Sequence, residues 1–356
     1  MKAAVLFSGA GICEHYLKDI GINVVVANEL VKSRAVAHTQ MYPDCKMINA
    51  DITLPQTQRE IISQCKENRV DLIIATPPCQ GVSSAGSNKT EDSILDDPRN
   101  YLVMSALNII DEVLPMYFLI ENVPRFQQML FPFQNEQVTL EQLLIKKYSC
   151  EYEIKCDVFD AANYGVPQTR YRVVYRAWKK DKKWEEPQQK PIITVREAIG
   201  DLPSLEPGED SLIKNHHAKS SPINHIECMR YTPTGKSAFA NEEHYPKKKD
   251  GTRIKGYGNS YKRISWDKPA PTITMRNEIV SSQENVHPGR QNPDGTWSDA
   301  RVLTLRELLI LSSLPAELDC PANLSETAFR QLIGEGIPPL LMKEIMKGIK
   351  ENYEED

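Results

Sequence analysis

The residues of this chain best suited to covalent chemistry are a thiol, a carboxylic acid and two guanidinium groups, each at the edge of an apolar run. In "ATPPCQGVSS" (75–84) Cys79 follows two prolines. Proline fixes φ and restricts the residue before it, so the backbone leading to this sulfur is stiff and its place is over-determined. A cysteine so mounted is a nucleophile, a redox partner, a metal ligand or a small residue in a tight loop. Further along, "FLIENVP" carries Glu121 and Asn122. A carboxylic acid whose pKa is raised by burial can give a proton to a substrate as a thiolate attacks it. The plainer reading is two unrelated strand ends, with Glu121 capping a helix. In "PQTRYRVV" the residues Gln168, Arg170 and Arg172 alternate, which on a strand turns Arg170 and Arg172 to one face. Two arginines on one face suit an anionic or carbonyl-bearing ligand and, equally, a surface ion-pair ladder.

A second group of residues has the character of a small-molecule site. "FSGAG" sets Phe7, Ser8, Gly9 and Gly11 between an apolar run and a helical pattern. Glycines there let the backbone approach a ligand closely, and a following helix N-terminus favours an anion. Position 14 is Glu, so the third glycine of a dinucleotide fingerprint is missing. "ANEL" then brings Glu29 and Leu30, at the distance from the glycine turn where an acidic side chain accepts hydrogen bonds from ribose hydroxyls. "NADIT" adds Asp51 and Ile52. Together these suggest an adenosine-containing cofactor without a pyrophosphate.

Such residues converge only if the elements carrying them share an edge. "AAVLF", "INVVVANEL", "VDLIIATPP", "MYFLIENVP" and "RYRVVYRAW" read as strands. "SGAGICEHYLKDIG", "SRAVAHTQMY" and "NYLVMSALNIIDEVL" read as a turn entering a helix that stops at Gly21, and as two further helices. This alternation predicts an α/β fold with a parallel sheet covered by helices on both faces. In such sheets ligands bind beyond the carboxyl ends of the strands, where Phe7, Glu29, Pro78 and Glu121 fall. From "KKDKKWEEPQQKP" onward the chain becomes loop-rich, and order returns in "LTLRELLILSSLP" and "PPLLMKEIMKGIKENY". The expected division is a catalytic and cofactor domain over residues 1–185, completed by 327–356, with a smaller loop-rich domain and hinge over 186–326.

The bulk numbers narrow the partners. The formal net charge is -5, yet residues 214–276 hold 13 Lys and Arg against 5 Asp and Glu. Tyr231, Tyr245, Tyr257, Tyr261 and Trp266 are interleaved with them. That pattern favours a polyanion-binding surface over a merely solvated lysine face. The eight cysteines include no C-x-x-C pair, which leaves no zinc ribbon or thioredoxin motif, and no metal site is expected. No run of about 18 apolar residues is present. The expectation is a cytoplasmic protein.

The order FSGAG, PPCQ, ENV and QxRxR resembles the DNA (cytosine-5)-methyltransferase family, over nearly the whole chain. "RVLTLRELLILSSLP" and "QLIGEGIPPLLMKEI" are similar to its last two motifs, and "SWDKPAPTITM" to the segment after its target-recognition region. The resemblance implies a Rossmann-like sheet with a loop-rich target-recognition domain, and S-adenosylmethionine as cofactor. Phe7, Ser8, Gly9 and Gly11 would surround the methionine part, Glu29 the ribose, and Asp51 with Ile52 the adenine, with Leu30 and Pro78 completing the pocket. Cys79 would attack carbon-6 of a flipped-out cytosine, Glu121 would protonate ring nitrogen-3, and Arg172 would contact the ring's carbonyl oxygen with Arg170 nearby. Gln80, Ser83, Lys255, Lys262 and Arg263 would meet double-stranded DNA. Two departures stand out: Val5 replaces an aspartate before Leu-Phe, and Glu335 replaces the asparagine of the final motif. Glu335 leads us to expect weaker or differently arranged cofactor binding. The implied protein is a monomeric bacterial modification enzyme acting at the nucleoid, with a cognate restriction endonuclease as a functional partner. The alternatives are a tRNA cytosine methyltransferase and a catalytically silent DNA-binding homologue.

Overall fold

A computed structural model describes residues 1–78, 101–248, 250–256 and 258–350 of the chain. They form two compact units. Unit 1 comprises Met1–Asp160, Tyr171–Gln188 and Met342–Asp356, and unit 2 comprises Ala161–Arg170 and Gln189–Leu341.

Unit 1 is a mixed α/β layer structure. Its strands are β1 (Lys2–Leu6), β2 (Asn23–Asn28), β3 (Lys46–Ile48), β4 (Leu72–Ala75), β5 (Tyr117–Asn122), β6 (Leu130–Phe133), β7 (Glu136–Thr139), β8 (Tyr152–Asp160), β9 (Tyr171–Lys179), β10 (Lys183–Trp184) and β11 (Ile349–Lys350). Seven form one sheet in the order β3-β2-β1-β4-β5-β9-β8. The first five neighbours run parallel, whereas β9 is antiparallel to both β5 and β8. The sheet is therefore parallel-dominated and not wholly parallel. β1 lies between β2 and β4, and Ala3, Ala4, Val5 and Leu6 are fully buried, as a central strand covered on both faces requires.

The helices form where the sequence pattern repeats with helical period. In Leu102–Val113 the residues Val103, Ala106, Leu107 and Ile110 are buried, a stripe at spacings of three and four. It joins a core containing Val26, Ile61, Ile73 and Phe118. Leu140–Tyr148 starts at a capping box in which Thr139 and Gln142 satisfy each other's backbone N–H groups. The helix expected after the glycine turn is not α-helical. Residues Ile12–Glu14 and Lys18–Ile20 form two 3₁₀ turns, with N–H to C=O bonds from Glu14 to Gly11, Leu17 to Glu14 and Ile20 to Leu17. Glu14 and Leu17 both point inward, and three-residue spacing is what a 3₁₀ turn stacks on one face. Gly21 ends the segment with φ 78°, as expected.

Unit 2 carries only short helices among its described residues, including Ile223–Arg230, Leu305–Leu311 and Glu326–Glu335, and isolated bridges. A small apolar cluster of Cys228, Met229, Tyr261, Val286 and Val302 is supplemented by buried charge. Arg301 pairs with Asp299 at 2.7 Å and Glu307 at 2.8 Å, all three at most 1% exposed.

Candidate active site

The parallel strands deliver their C-terminal residues to one edge of the sheet in unit 1. β1 ends at Leu6 and Phe7 follows with φ 61°, a left-handed conformation that costs a non-glycine residue of order 1–3 kcal/mol. Its carbonyl accepts a hydrogen bond from Thr76 Oγ1 at 3.2 Å, which ties the tip of β1 to the chain leaving β4. Ser8 N donates to Asn28 O at 3.0 Å and Gly11 N returns to Ser8 O at 2.9 Å, closing the glycine turn. Gly9 has φ 59° and open space where a Cβ would stand. Gly11, at φ 79°, is packed against the ring of Tyr42, which would lie 2.3 Å from an added Cβ. The turn thus offers a cradle on one side and a wall behind it.

Glu29, 7% exposed at the end of β2, fixes this turn. Its Oε2 accepts from Gly9 N at 2.9 Å and its Oε1 from Val31 N at 2.7 Å. Each carboxylate oxygen has a second lone pair, so Glu29 can also accept from hydroxyl groups. Asn28 Nδ2 donates to Ile48 O and Ala50 O, drawing the segment after β3 alongside. There Asp51 Oδ1 accepts from the amide and hydroxyl of Thr53, each at 2.8 Å, while Ile52 is buried and Leu30 is 63% exposed. A roomy glycine, carboxylate acceptors and flanking apolar side chains fit the adenosine-bearing, amino-acid-bearing cofactor implied by the sequence.

The second half of the edge holds the acid. Glu121 lies opposite Val174 in the β5–β9 pair, and Arg172 is the same-face diagonal neighbour two residues away. The Arg172 Nε and Glu121 Oε1 atoms form an ion pair at 2.7 Å, with side chains 12% and 8% exposed. Asn122 Nδ2 donates to Pro77 O at 3.2 Å and its Oδ1 accepts from Val123 N at 2.9 Å. Asn122 therefore links the strand of the acid to the proline tip, a contact the sequence reading did not assign. Pro77 is buried and Pro78 half-buried. Cys79, Gln80 and Ser83 lie outside the described residues.

Two expectations are corrected. Arg170 does not share a strand face with Arg172: it precedes β9, belongs to unit 2 and is 3% exposed. Its Nη1 donates to Ile273 O at 2.8 Å, and its Nη2 to Gly334 O and Glu335 O, both at 2.9 Å. Strand alternation does not extend past the strand's first residue. Arg263 is not a surface contact either, being fully buried with its guanidinium on the carbonyls of Met229, His287, Ser298 and Asp299. Lys262 is paired with Glu284. Lys255 is exposed.

The sequence reading also passed over Glu14 and His38, which meet behind the glycine turn with His38 Nε2 3.1 Å from Glu14 Oε2. The signal was present as a charged residue at the place of the missing third glycine. Among the described residues no cluster of three His, Cys, Asp or Glu side chains is arranged to hold a metal.

Comparison with known proteins covers the same span. The family model for C-5 cytosine-specific DNA methylase matches residues 1–351. The chain is 46% identical over 344 residues to the Type II methyltransferase M1.HgaI of Avibacterium volantium, covering 97% of this chain and 96% of that protein. It is 30% identical over 347 residues to the Type II methyltransferase M1.HphI of Haemophilus parahaemolyticus, covering 97% and 85%. Among solved structures, Spodoptera frugiperda DNMT2 shares the fold with a TM-score of 0.63 at 18% identity, over 98% of each chain.

Proposed function

The chain belongs to the C-5 cytosine-specific DNA methylase family and is a DNA (cytosine-5)-methyltransferase, and from that premise we propose how its own residues share the reaction. The observation that carries the reading is the shielded Glu121–Arg172 ion pair at the strand edge that also bears the glycine turn and the proline tip. S-adenosylmethionine, bound along the ends of β1 to β3, would supply a methyl group on a sulfonium. Phe7, Ser8, Gly9 and Gly11 hold its methionine part, Glu29 its ribose, and Asp51 with Ile52 its adenine, with Leu30 and Pro78 at the rim. The open space at Gly9 and the spare lone pairs of Glu29 support this assignment.

Cytosine carbon-5 is a poor nucleophile. Cys79, as thiolate, attacks carbon-6 and turns the ring into an enamine whose carbon-5 can be methylated. Glu121, taking up a proton as the base enters, holds nitrogen-3 and passes that proton to it as the sulfur bonds, returning to the carboxylate that pairs with Arg172. Arg172 orients Glu121 and approaches the carbonyl oxygen. Water takes the carbon-5 proton, its electron pair re-forms the ring double bond as the carbon–sulfur bond breaks, Cys79 leaves as thiolate and nitrogen-3 returns its proton to Glu121. Attack comes from above the ring, a face covered by stacking, so the base must be flipped out of the duplex. Arg170 takes no part in this chemistry: it holds the carbonyls of Ile273, Gly334 and Glu335 within unit 2.

We assign the chemistry to unit 1 and DNA recognition to unit 2; against the expected division of 1–185 with 327–356 and 186–326, residues 161–170 and 327–341 fall in unit 2. Lys255 and the neighbouring basic residues support the second assignment. The chain, similar to proteins named Type II methyltransferases, would be the modification half of a restriction-modification system, acting as a monomer at the nucleoid beside a cognate endonuclease. No helix among the described residues is long and apolar enough to cross a membrane.

The test is bisulfite sequencing of DNA from cells expressing the chain, with transfer of labelled methyl groups to purified DNA and to tRNA in parallel. Methylation of one DNA sequence is expected. Label in tRNA alone would overturn the DNA reading.

A further inference from the structure

Residues 245–255 of unit 2 hold five Lys and Arg against one acid, and they fold as a small hairpin. Lys247 and Arg253 face each other as an antiparallel bridge, Ile254 N donates to Pro246 O at 2.9 Å, and Lys248 N donates to Thr252 O at 2.8 Å. Asp250 Oδ1 accepts from the amide of Thr252 at 2.9 Å and from its hydroxyl, an Asx turn that directs the single acid onto the tip's own backbone. The base of the hairpin is fixed from several sides. Asn224 Nδ2 donates to Lys247 O at 3.2 Å and Pro246 is buried. His244, just before the hairpin, stacks on Tyr231 with ring centroids 3.5 Å apart and planes 10° from parallel.

The cations of this hairpin divide into two kinds. Arg253 is turned onto the protein: its Nη2 donates to Phe239 O at 2.6 Å and to Asn241 O at 3.3 Å, and its guanidinium lies 4.3 Å from the centroid of the Tyr245 ring. Lys247, Lys248 and Lys255 are exposed, and among the described residues none of them is ion-paired with a carboxylate. Lys247 rests its ammonium 4.9 Å from the Tyr245 centroid, which leaves its charge unneutralised. Lys262, by contrast, is already paired with Glu284 and Arg263 is buried on carbonyls. A braced backbone leaves little ordering entropy to oppose binding through these three side chains. An ammonium is a compact point charge suited to a phosphate oxygen, whereas paired parallel bonds need the planar fork of an arginine, and Arg253 is committed to the hairpin itself.

We propose that this hairpin is a grip on the DNA backbone, in which Lys247, Lys248 and Lys255 each neutralise one phosphate and Arg253 holds the mount. Such contacts fix affinity and register and carry no sequence information. The inference rests on the assignment of DNA recognition to unit 2. It moves the phosphate contacts from Lys262 and Arg263, which the sequence favoured, to Lys247 and Lys248, and keeps Lys255.

The test is binding of the full chain to a mixed-sequence DNA duplex, with affinity followed as salt is raised. The slope of log affinity on log salt should become shallower by about 0.9 for each of Lys247→Ala, Lys248→Ala and Lys255→Ala, so that the triple variant loses about 40-fold less affinity than the wild type between about 50 and about 200 mM salt. Arg253→Ala should leave the slope where it is and lower the urea midpoint. Bisulfite maps from cells expressing the triple variant should show the same methylated sequence as the wild type. A triple variant with the wild-type slope means a merely solvated lysine face and overturns the proposal. A changed target sequence overturns it as well, since the hairpin would then be reading bases, and a slope that falls with Arg253 as it does with the lysines overturns the division between them. Wild-type protein that binds no duplex sinks the DNA assignment together with this inference, whereas binding with an unmoved slope sinks the inference alone.

Discussion

Arg170 and Arg172 stand two residues apart with the same head group, yet each holds something different. Arg172 neutralises a carboxylate at 2.7 Å, whereas Arg170 gathers three backbone carbonyls within unit 2. The distinction can be measured. Glu121→Gln keeps the shape of the site but cannot give up a proton as an acid does, so methyl transfer should fall by about 10²-fold or more while cofactor affinity stays within twofold or so. Near-normal transfer would remove Glu121 from the mechanism. Arg170→Ala should instead act on folding. It leaves buried carbonyls without donors, at about 1–3 kcal/mol for such a group, visible as a lower midpoint in urea unfolding. An unchanged midpoint would mean that the carbonyl clamp is dispensable. At Glu335 the side chain is the departure from the family pattern, while its carbonyl is already held by Arg170. Glu335→Asn keeps that carbonyl and should leave the unfolding midpoint unmoved, and a lowered midpoint would show that the carboxylate itself stabilises unit 2.

The elements show which parts of the site can be read from sequence and which cannot. Strand ends were legible because a parallel sheet gathers them by topology alone: Phe7, Glu29, Pro78 and Glu121 each follow or end an apolar run. Proximity that depends on side-chain direction was not. Alternation placed Arg170 with Arg172, but β9 begins only at Tyr171. A basic segment suggested Arg263 as a surface contact, yet charge composition does not say which guanidinium turns inward to collect carbonyls. The 3₁₀ character of Ile12–Glu14 was hidden for the same reason, since inward-facing Glu14 finds its partner His38 in a different element. Gly11 was read as a place where backbone approaches a ligand. The structure adds a second cause, the Tyr42 ring behind it. Gly11→Ala should then fail twice, through left-handed φ and through a clash at 2.3 Å. We expect a loss of about 1–3 kcal/mol in stability together with cofactor binding. A variant that melts and binds like the wild type would show that the turn relaxes freely.

At the scale of the whole molecule, the two units are held by different physics. Unit 1 is held mainly by its apolar sheet core. Unit 2 has buried charge at its centre, and that makes it sensitive. Burial, reinforced by Arg301 and Arg263, pushes His287 down to about 3, against the opposing pull of Glu307 and Asp299. Its Nδ1 accepts from Gly289 N at 3.1 Å, as the neutral ring requires. Asp299 and Glu307 resist the upward push of burial because Arg301 lies against both, and both stay well below the usual carboxylate range. The unfolded chain protonates His287 below about pH 6.5, whereas the folded chain does so only near 3. Between those values the unfolded state binds more protons, so stability falls as pH falls. The two carboxylates contribute in the same direction at lower pH: their stabilisation is present above about pH 4 and is lost as their folded values are crossed. Urea unfolding of the full chain should therefore lose about 2 kcal/mol between pH 8 and pH 5. Trp266, edge-on to His287 at 5.2 Å, supplies a fluorescence signal inside the affected unit. His287→Asn retains an acceptor of similar reach but does not titrate, so it should flatten this limb and leave the steeper loss below pH 4 in place. A wild-type midpoint that does not move between pH 8 and pH 5 would show that His287 is not held neutral by the fold.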